Sequence, residues 1–487
     1  MRGLDIRFFA VALACGLLAP GAALAEDAAS AAAATSSSSG AGLALSPGAN
    51  GPNPDAGLAL ASFMLYPSSF AGLVFNDNLY STASNRVAGL GVRLRPSFEA
   101  RLDDGLHQTS VYFTTDLQIY PGQGDAYVFT PQPTVYAPPT NATGRAGFSH
   151  QWLPTADLSI QAVADYARQN GLFGASPATA NFTPFTLPSA STVSAAPQYS
   201  NQYSAFVSIE KKFEEQWFLT AKTGAQYVAY DSRPSVAPVA SLATGLAPIT
   251  ASQDGLIYMA SLRGGYYVTP QLYAFVEPQA DLRFYRNSWS DTNGYRLISG
   301  VGSDLISLFK GEVYGGYQSQ ASAHGYFAPS SSPAFGVRLY YYPTHYLTLT
   351  TSLDQTLTAA APQPTGLLLG VPVFALEAGQ SSKTLQARVE ADYAMAEYWS
   401  AFLRGGYGET SYANGRGPQT IWTGGAGLNY NFWPNLGVTF EYQYTRSFAA
   451  PSAQAVALVS PIAAPAPAAS ALGFAQNLLT MGLTYRY

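Results

Sequence analysis

From about residue 61 onward, hydrophobic and polar residues alternate with a period of two. In 347–357, Leu347, Leu349, Thr351, Leu353 and Leu357 share one face, and Thr348, Thr350, Ser352, Asp354 and Thr356 share the other. In 436–445, Leu436, Val438, Phe440, Tyr442 and Tyr444 oppose Gly437, Thr439, Glu441, Gln443 and Thr445. In 272–285, Leu272, Ala274, Val276, Ala280, Leu282 and Phe284 oppose Tyr273, Glu277, Gln279, Asp281, Arg283 and Tyr285. Successive side chains of a strand point to opposite faces, so each stretch predicts a strand with one apolar and one wet face.

A soluble sandwich alternates too, and three further features decide against it. The strand candidates run 11 to 16 residues, against about 5–6 in ordinary sheets. A tilted membrane strand needs about 9–11 residues for the hydrocarbon alone. Short and long connections take turns along the chain, and aromatics gather at strand ends beside the short ones, as transmembrane barrels require. Short turns are predicted at 102–105, 153–156, 213–216, 268–271, 302–305, 342–345, 394–397 and 433–435. Opposite connections fall near 78–85, 122–143, 169–199, 232–252, 287–294, 319–331, 359–381, 413–417 and 449–475. The prediction is an all-β chain folded as a transmembrane antiparallel up-and-down β-barrel of about 18 strands. Sixteen is the lower count, because the hairpin over 295–317 has the weakest pattern.

The first 25 residues sit apart from this rhythm. Arg2 and Arg7 precede an apolar run from Phe8 to Ala23, and Ala23-Leu24-Ala25 is a small-x-small cleavage site followed by Glu26. This reads as a secretory signal peptide cut after Ala25. An anchor helix is the bland alternative, but Gly16 and Pro20-Gly21 break a stretch already too short to span. The only cysteine, Cys15, lies inside it, and Ala12-Leu13-Ala14-Cys15 matches a lipobox poorly. The processed chain then has no cysteine, which suits an oxidising compartment. Residues 26–60 are mostly Ala, Ser, Gly and Pro and read as a low-complexity flexible tail. The barrel occupies 61–487.

The C-terminus ends in the same alternation. Leu479, Met481, Leu483, Tyr485 and Tyr487 share a face against Thr480, Gly482, Thr484 and Arg486. A last strand ending on an aromatic resembles the recognition signal for outer-membrane barrel assembly, where a terminal Phe is commoner than Tyr. The expected partners are therefore outer-membrane lipid, lipopolysaccharide and the barrel assembly machinery.

Composition narrows the function classes. Charged residues are only 11% of the chain against 47% hydrophobic, and aromatics reach 13%. Soluble domains carry about 25% charge. The low charge argues against disorder, and the absence of a basic stripe argues against nucleic-acid binding. The alternation places most charges on the wet face. Basic lumen candidates are Arg93, Arg95, Arg101, Lys222, Arg263, Arg283, Arg296, Lys310, Arg388, Arg404 and Arg486. Acidic ones are Glu99, Asp116, Asp165, Glu210, Glu277, Asp281, Glu312, Glu390, Asp392 and Glu441. The near balance points away from strong ion selectivity, which needs rings of one sign. These groups either set up a local field across the lumen or pair and fill it. Unexpectedly, 170–199, 234–252 and 449–475 contain no charged residue, and 359–381 contains only Glu377.

The stretch Phe70-Ala71-Gly72-Leu73-Val74-Phe75-Asn76-Asp77-Asn78-Leu79-Tyr80, followed by Asn85-Arg86 and Leu94-Arg95-Pro96, resembles the opening of the putative β-barrel porin 2 type of outer-membrane barrel. The resemblance is specific over roughly 65–105 and rhythmic elsewhere. It implies an outer-membrane barrel, often found near exopolysaccharide genes, and no catalytic residues. Asn76-Asp77-Asn78 reads physically as a turn; one carboxylate is too few for calcium without help from distant chain.

His107, His150, His324 and His345 fall in no hydrolase pattern, and no nucleophile elbow, zinc or nucleotide-binding motif is present. No cofactor and no metal is expected, and an enzyme is disfavoured. The expectation is a channel for passive passage of small polar solutes or an exported glycan. The alternative is an occluded docking barrel serving polysaccharide export proteins.

Overall fold

The computed structural model describes residues 57–79, 86–121, 126–128, 135–137, 141–171, 198–214, 216–230, 254–286, 291–306, 308–325, 329–359, 364–368, 371–374, 381–396, 398–412, 418–449 and 473–486. The expected signal peptide with Ala23 and Ala25, the terminal Tyr487 and most of the long connections lie outside them.

Nineteen strands form one sheet, and one of them is the three-residue Leu58–Leu60. The other eighteen pair antiparallel in chain order, each 13 to 16 residues long. They are Phe63–Asn76, Gly89–Asp103, His107–Ile119, Asn141–Thr155, Leu158–Gly171, Gln198–Phe213, Trp217–Tyr230, Gly255–Thr269, Leu272–Tyr285, Thr292–Ile306, Phe309–Ser322, Ser330–Thr344, Leu347–Ala359, Ser381–Ala396, Trp399–Tyr412, Gln419–Trp433, Leu436–Ala449 and Phe474–Arg486. The last pairs with the first, Ser68–Asn76 against Leu478–Arg486, and the sheet closes into a barrel. Closure leaves no unpaired edge, which a strand in hydrocarbon cannot tolerate. Two short hairpins, Ala126–Val128 with Val135–Ala137 and Pro364–Leu368 with Val371–Phe374, stand apart from the sheet.

Burial follows the period of two, and it is inside out. On Gly89–Asp103, Leu90, Val92 and Leu94 are 61%, 38% and 37% exposed, whereas Arg93 is 1% exposed. Leu262, Val276, Leu297, Val313, Leu403 and Met481 likewise face outward. An apolar exterior around a polar interior is the arrangement a lipid solvent demands. Aromatic pairs ring the outside at both ends. Trp217–Tyr266, Phe309–Tyr341 and Trp399–Tyr430 lie beside the short turns. Tyr203–Tyr227, Tyr258–Phe284, Tyr295–Tyr317 and Tyr407–Trp422 lie toward the long connections. The sequence pattern identified only the first ring.

The turns follow their own chemistry. In the Asp104–Leu106 turn, Asp103 Oδ1 accepts from the Gly105 amide (2.9 Å) and Asp104 Oδ1 from the His107 amide (2.6 Å). Gly105 has φ +82°, which a side chain disfavours. One expected turn is corrected. Gly302-Ser303-Asp304-Leu305 lies within the strand Thr292–Ile306. Gly302 is needed there for a different reason: the ring of Tyr273, directly opposite, lies across it, and a Cβ would collide with that ring. The same cross-strand pair, an inward aromatic over a glycine, recurs at Tyr112–Gly147, Phe206–Gly224, Phe218–Gly265, Tyr314–Gly336 and Phe402–Gly427. A glycine exposes backbone in a strand, and the ring opposite covers it.

The tail also departs from expectation at its end. Leu58–Leu60 pairs with Phe63–Leu65, so the sheet begins before residue 61. This hairpin occupies the edge of the first strand that the last strand does not reach.

Candidate functional site: the inner wall

The inward side chains gather into charge clusters, each nearly balanced. In the first, Arg93 bonds Asp116 through Nε (2.9 Å) and lies 3.7 Å from Glu441, while Arg95 bonds Glu441 (3.1 Å). Arg93 also donates to Thr480 Oγ1 (3.1 Å), and Arg95 stacks over Phe70 at 4.4 Å. Nearby, Arg388 pairs with Glu390, and Arg404 reaches Glu390 at 3.3 Å. Asp392 lies opposite Thr348 and Phe402. In the second, Arg263 bridges Glu277 (2.6 Å) and Glu312 (2.8 Å). Lys222 stands opposite Ser208 and Ser261, close enough to Glu277, Glu312 and Glu210 to feel their charge. Smaller pairs are Arg145–Asp165 (2.6 Å), Arg283–Asp281 (2.7 Å) and Arg296–Asp354 (3.2 Å). Arg101–Glu99 (2.7 Å) sits at the more exposed short-turn end, with Arg101 over Tyr66. Lys310 opposes Tyr340, and Arg486 opposes Ser68.

The clusters are buried as well as paired. Arg93, Glu277 and Glu441 side chains are 1%, 1% and 2% exposed. A buried charge is tolerated only when paired and hydrogen-bonded; Asp116 and Arg263 reach Arg93 and Glu277 from neighbouring strands, and Arg93 and Arg95 reach Glu441 across the seam from three strands away.

Sequence reasoning left out Arg145 and Arg338. Arg338 is inward but flanked by Leu339-Tyr340-Tyr341-Tyr342, which blurs the period. It also left out the inward apolar residues Phe218, Phe275 and Ile298 with Tyr267 and Tyr314, which pack with Tyr273, already on the predicted wet face, into an apolar patch on the inner wall. For Phe218 and Tyr314, the register, which sets each ring against a glycine, would have placed them.

Asn76-Asp77-Asn78 is a clasp across the barrel seam. Asp77 accepts from the backbone and side-chain amides of Asn477, both at 2.6 Å, and Asn78 donates to the Ala475 carbonyl at 3.0 Å. Gln476 bonds Asn76 and the Asn78 carbonyl at 3.1 and 3.0 Å. The carboxylate is thus engaged by the last strand, and among the described residues no group of three or more acidic, His or Cys side chains could hold a metal.

The histidines lie apart. His107 and His150 stack outside, near a short turn, at 5.5 Å. His324 Nε2 is 3.6 Å from Asp291 at the opposite end, beyond hydrogen-bond distance. At the turn near residue 157, the Lys211 ammonium and Thr155 hold the Asp157 carboxyl down at about 2.

An apolar exterior, two aromatic rings and a charged, paired interior define an outer-membrane β-barrel. The chain matches the family described as putative beta-barrel porin 2 over residues 52–455, and it belongs to that family. No curated protein matches it. Among solved structures it is similar to the siderophore receptor PirA from Acinetobacter baumannii (8% identity, 87% of this chain and 80% of that one, TM-score 0.40). It is also similar to OccAB4 from Acinetobacter baumannii (9% identity, 89% and 100%, TM-score 0.40) and to the copper transporter OprC (13% identity, 79% and 64%, TM-score 0.35).

Proposed function

We propose that this outer-membrane barrel is a non-catalytic diffusion channel for small, uncharged polar solutes, with an exported glycan as the larger member of that class. The observation that carries this reading is local charge balance along the inner wall. Arg93, Arg95, Arg388 and Arg404 face Asp116, Glu390, Asp392 and Glu441. Arg263 bridges Glu277 and Glu312, with Lys222 as the second positive charge beside them. A wall neutral at this scale offers a polar path without the single-sign ring that sorts ions. The inner wall's Ser, Thr, Gln and Tyr groups supply hydrogen bonds in place of water. The chain reaches the membrane through a signal peptide cut after Ala25.

Purified, folded barrel in liposomes should admit glucose and sucrose in a swelling assay. Absence of swelling, with folding shown by heat-modifiable migration, rejects the channel. The deep burial of Arg93, Glu277 and Glu441 favours a second reading, an occluded barrel that docks polysaccharide export proteins. Co-purification with such proteins and no swelling would select it.

A further inference from the structure

Three rows on the inner wall share one construction. Tyr112, Gly147 and Asp165 lie directly opposite one another on successive strands, as do Tyr273, Gly302 and Glu312, and Tyr314, Gly336 and Asp354. In each row the ring crosses the glycine and its hydroxyl donates to the carboxylate on the far strand, at 2.7 Å for Tyr273 and Glu312. The hydroxyl completes the row, because a buried carboxylate oxygen without a donor is costly.

A fourth row has the same register and lacks one atom. Phe402, Gly427 and Glu441 lie opposite one another, with the Phe402 ring over Gly427. Phenylalanine has no hydroxyl, and among the described residues nothing donates a hydrogen bond to the buried Glu441 Oε1, whose charged neighbour Arg93 Nη1 stays 3.7 Å away; its other oxygen accepts from Arg95 at 3.1 Å. A second orphan acceptor is adjacent. Asn429, two residues beyond Gly427 and opposite Thr439, is 8% exposed. Its Nδ2 donates to Ser400 Oγ at 3.3 Å, but its Oδ1 accepts no hydrogen bond among the described residues.

We infer that Phe402, Glu441 and Asn429 form a subsite for a vicinal diol, so that the solute of this barrel is a carbohydrate. Two neighbouring hydroxyls donate to Glu441 Oε1 and Asn429 Oδ1, and the C–H groups of the sugar meet the edge of the Phe402 ring, which lies over Gly427 and carries the Arg404 guanidinium 4.6 Å from its centroid. The other three rows show which chemistry satisfies such a carboxylate: a hydroxyl carried on an apolar ring. In those rows it is built into the protein, and here it is left for the ligand. The biological use of the subsite rests on the channel reading, but binding does not.

The test is calorimetric titration of sucrose and maltotriose into wild-type, Phe402→Tyr and Asn429→Ala barrels, with folding checked by heat-modifiable migration. Phe402→Tyr supplies the missing hydroxyl from the protein. Saturable binding to wild type that falls about tenfold in each variant is expected, the worth of one hydrogen bond. No saturable binding to wild type overturns the proposal. So does unchanged binding in Asn429→Ala or Phe402→Tyr, since the orphan acceptors then hold water only. If Phe402→Tyr does not fold, Asn429→Ala decides alone. Binding with no liposome swelling upholds the subsite and rejects the channel.

Discussion

At the residue scale, the inner wall is governed by what burial does to charge. Arg93 is 1% exposed and answers to Asp116 and Glu441 together. Truncating it leaves two carboxylates in a site that water barely reaches. Arg93→Ala should cost about 3–5 kcal/mol of stability, the range for breaking a buried pair. Lys211→Ala removes an exposed partner from Asp157 and should leave stability almost unchanged. Equilibrium unfolding of the two variants in guanidinium checks the contrast, and similar losses would contradict it. The same scale explains the glycines. A Cβ at Gly336 would meet the Tyr314 ring and displace its hydroxyl from Asp354. Gly336→Ala should therefore destabilise the barrel by about 1–3 kcal/mol, whereas Gly408, with open space around it, should accept alanine.

At the element scale, what could be read in advance was the period and not the register. The alternation in 272–285 separated Glu277 and Asp281 from Val276 and Leu282 correctly, because lipid and lumen impose opposite demands on neighbouring residues. It did not reveal that Phe275 faces inward, since an apolar residue on the wet face breaks the pattern unless its cross-strand neighbours are known. Gly302-Ser303-Asp304 had the composition of a turn, yet Gly302 sits mid-strand beneath Tyr273. Asn76-Asp77-Asn78 was also read as local, and its main partners lie about four hundred residues away. No local rule reaches that far. The clasp carries a prediction of its own. Asp77 Oδ1 accepts the Asn477 amide, just beyond the last seam pair, Asn76 with Leu478. Asp77→Ala should accelerate hydrogen exchange at Asn477 by about ten- to a hundredfold, as one charge-assisted bond is lost. The amide of Met481, inside the paired seam, should exchange as before. Equal acceleration at both would mean that the whole seam opens and that the clasp is not local.

At the scale of the whole molecule, the balance of charge is distributed in patches, and this makes it testable by displacement. Arg388 and Arg404 meet Glu390, with Asp392 nearby, so the patch sums to zero. Glu390→Gln keeps the shape of the side chain and leaves the patch with one uncompensated positive charge. Its effect reaches as far as the screening length, about 10 Å at 0.1 M salt and about 3 Å at 1 M. If the lumen conducts past this patch, wild type should show a reversal potential near zero in a potassium chloride gradient. Glu390→Gln should move it toward anion preference at about 0.1 M salt and lose most of that shift at about 1 M. Arg388→Gln added to Glu390→Gln restores the sum and should restore the wild-type potential. A wild-type channel already strongly selective would show that the clusters do not cancel from the viewpoint of a passing ion. A shift that persists at high salt would place the charge in a constriction narrower than the screening length. Either result would replace a passage whose neutrality comes from paired neighbours with one governed by an unpaired field.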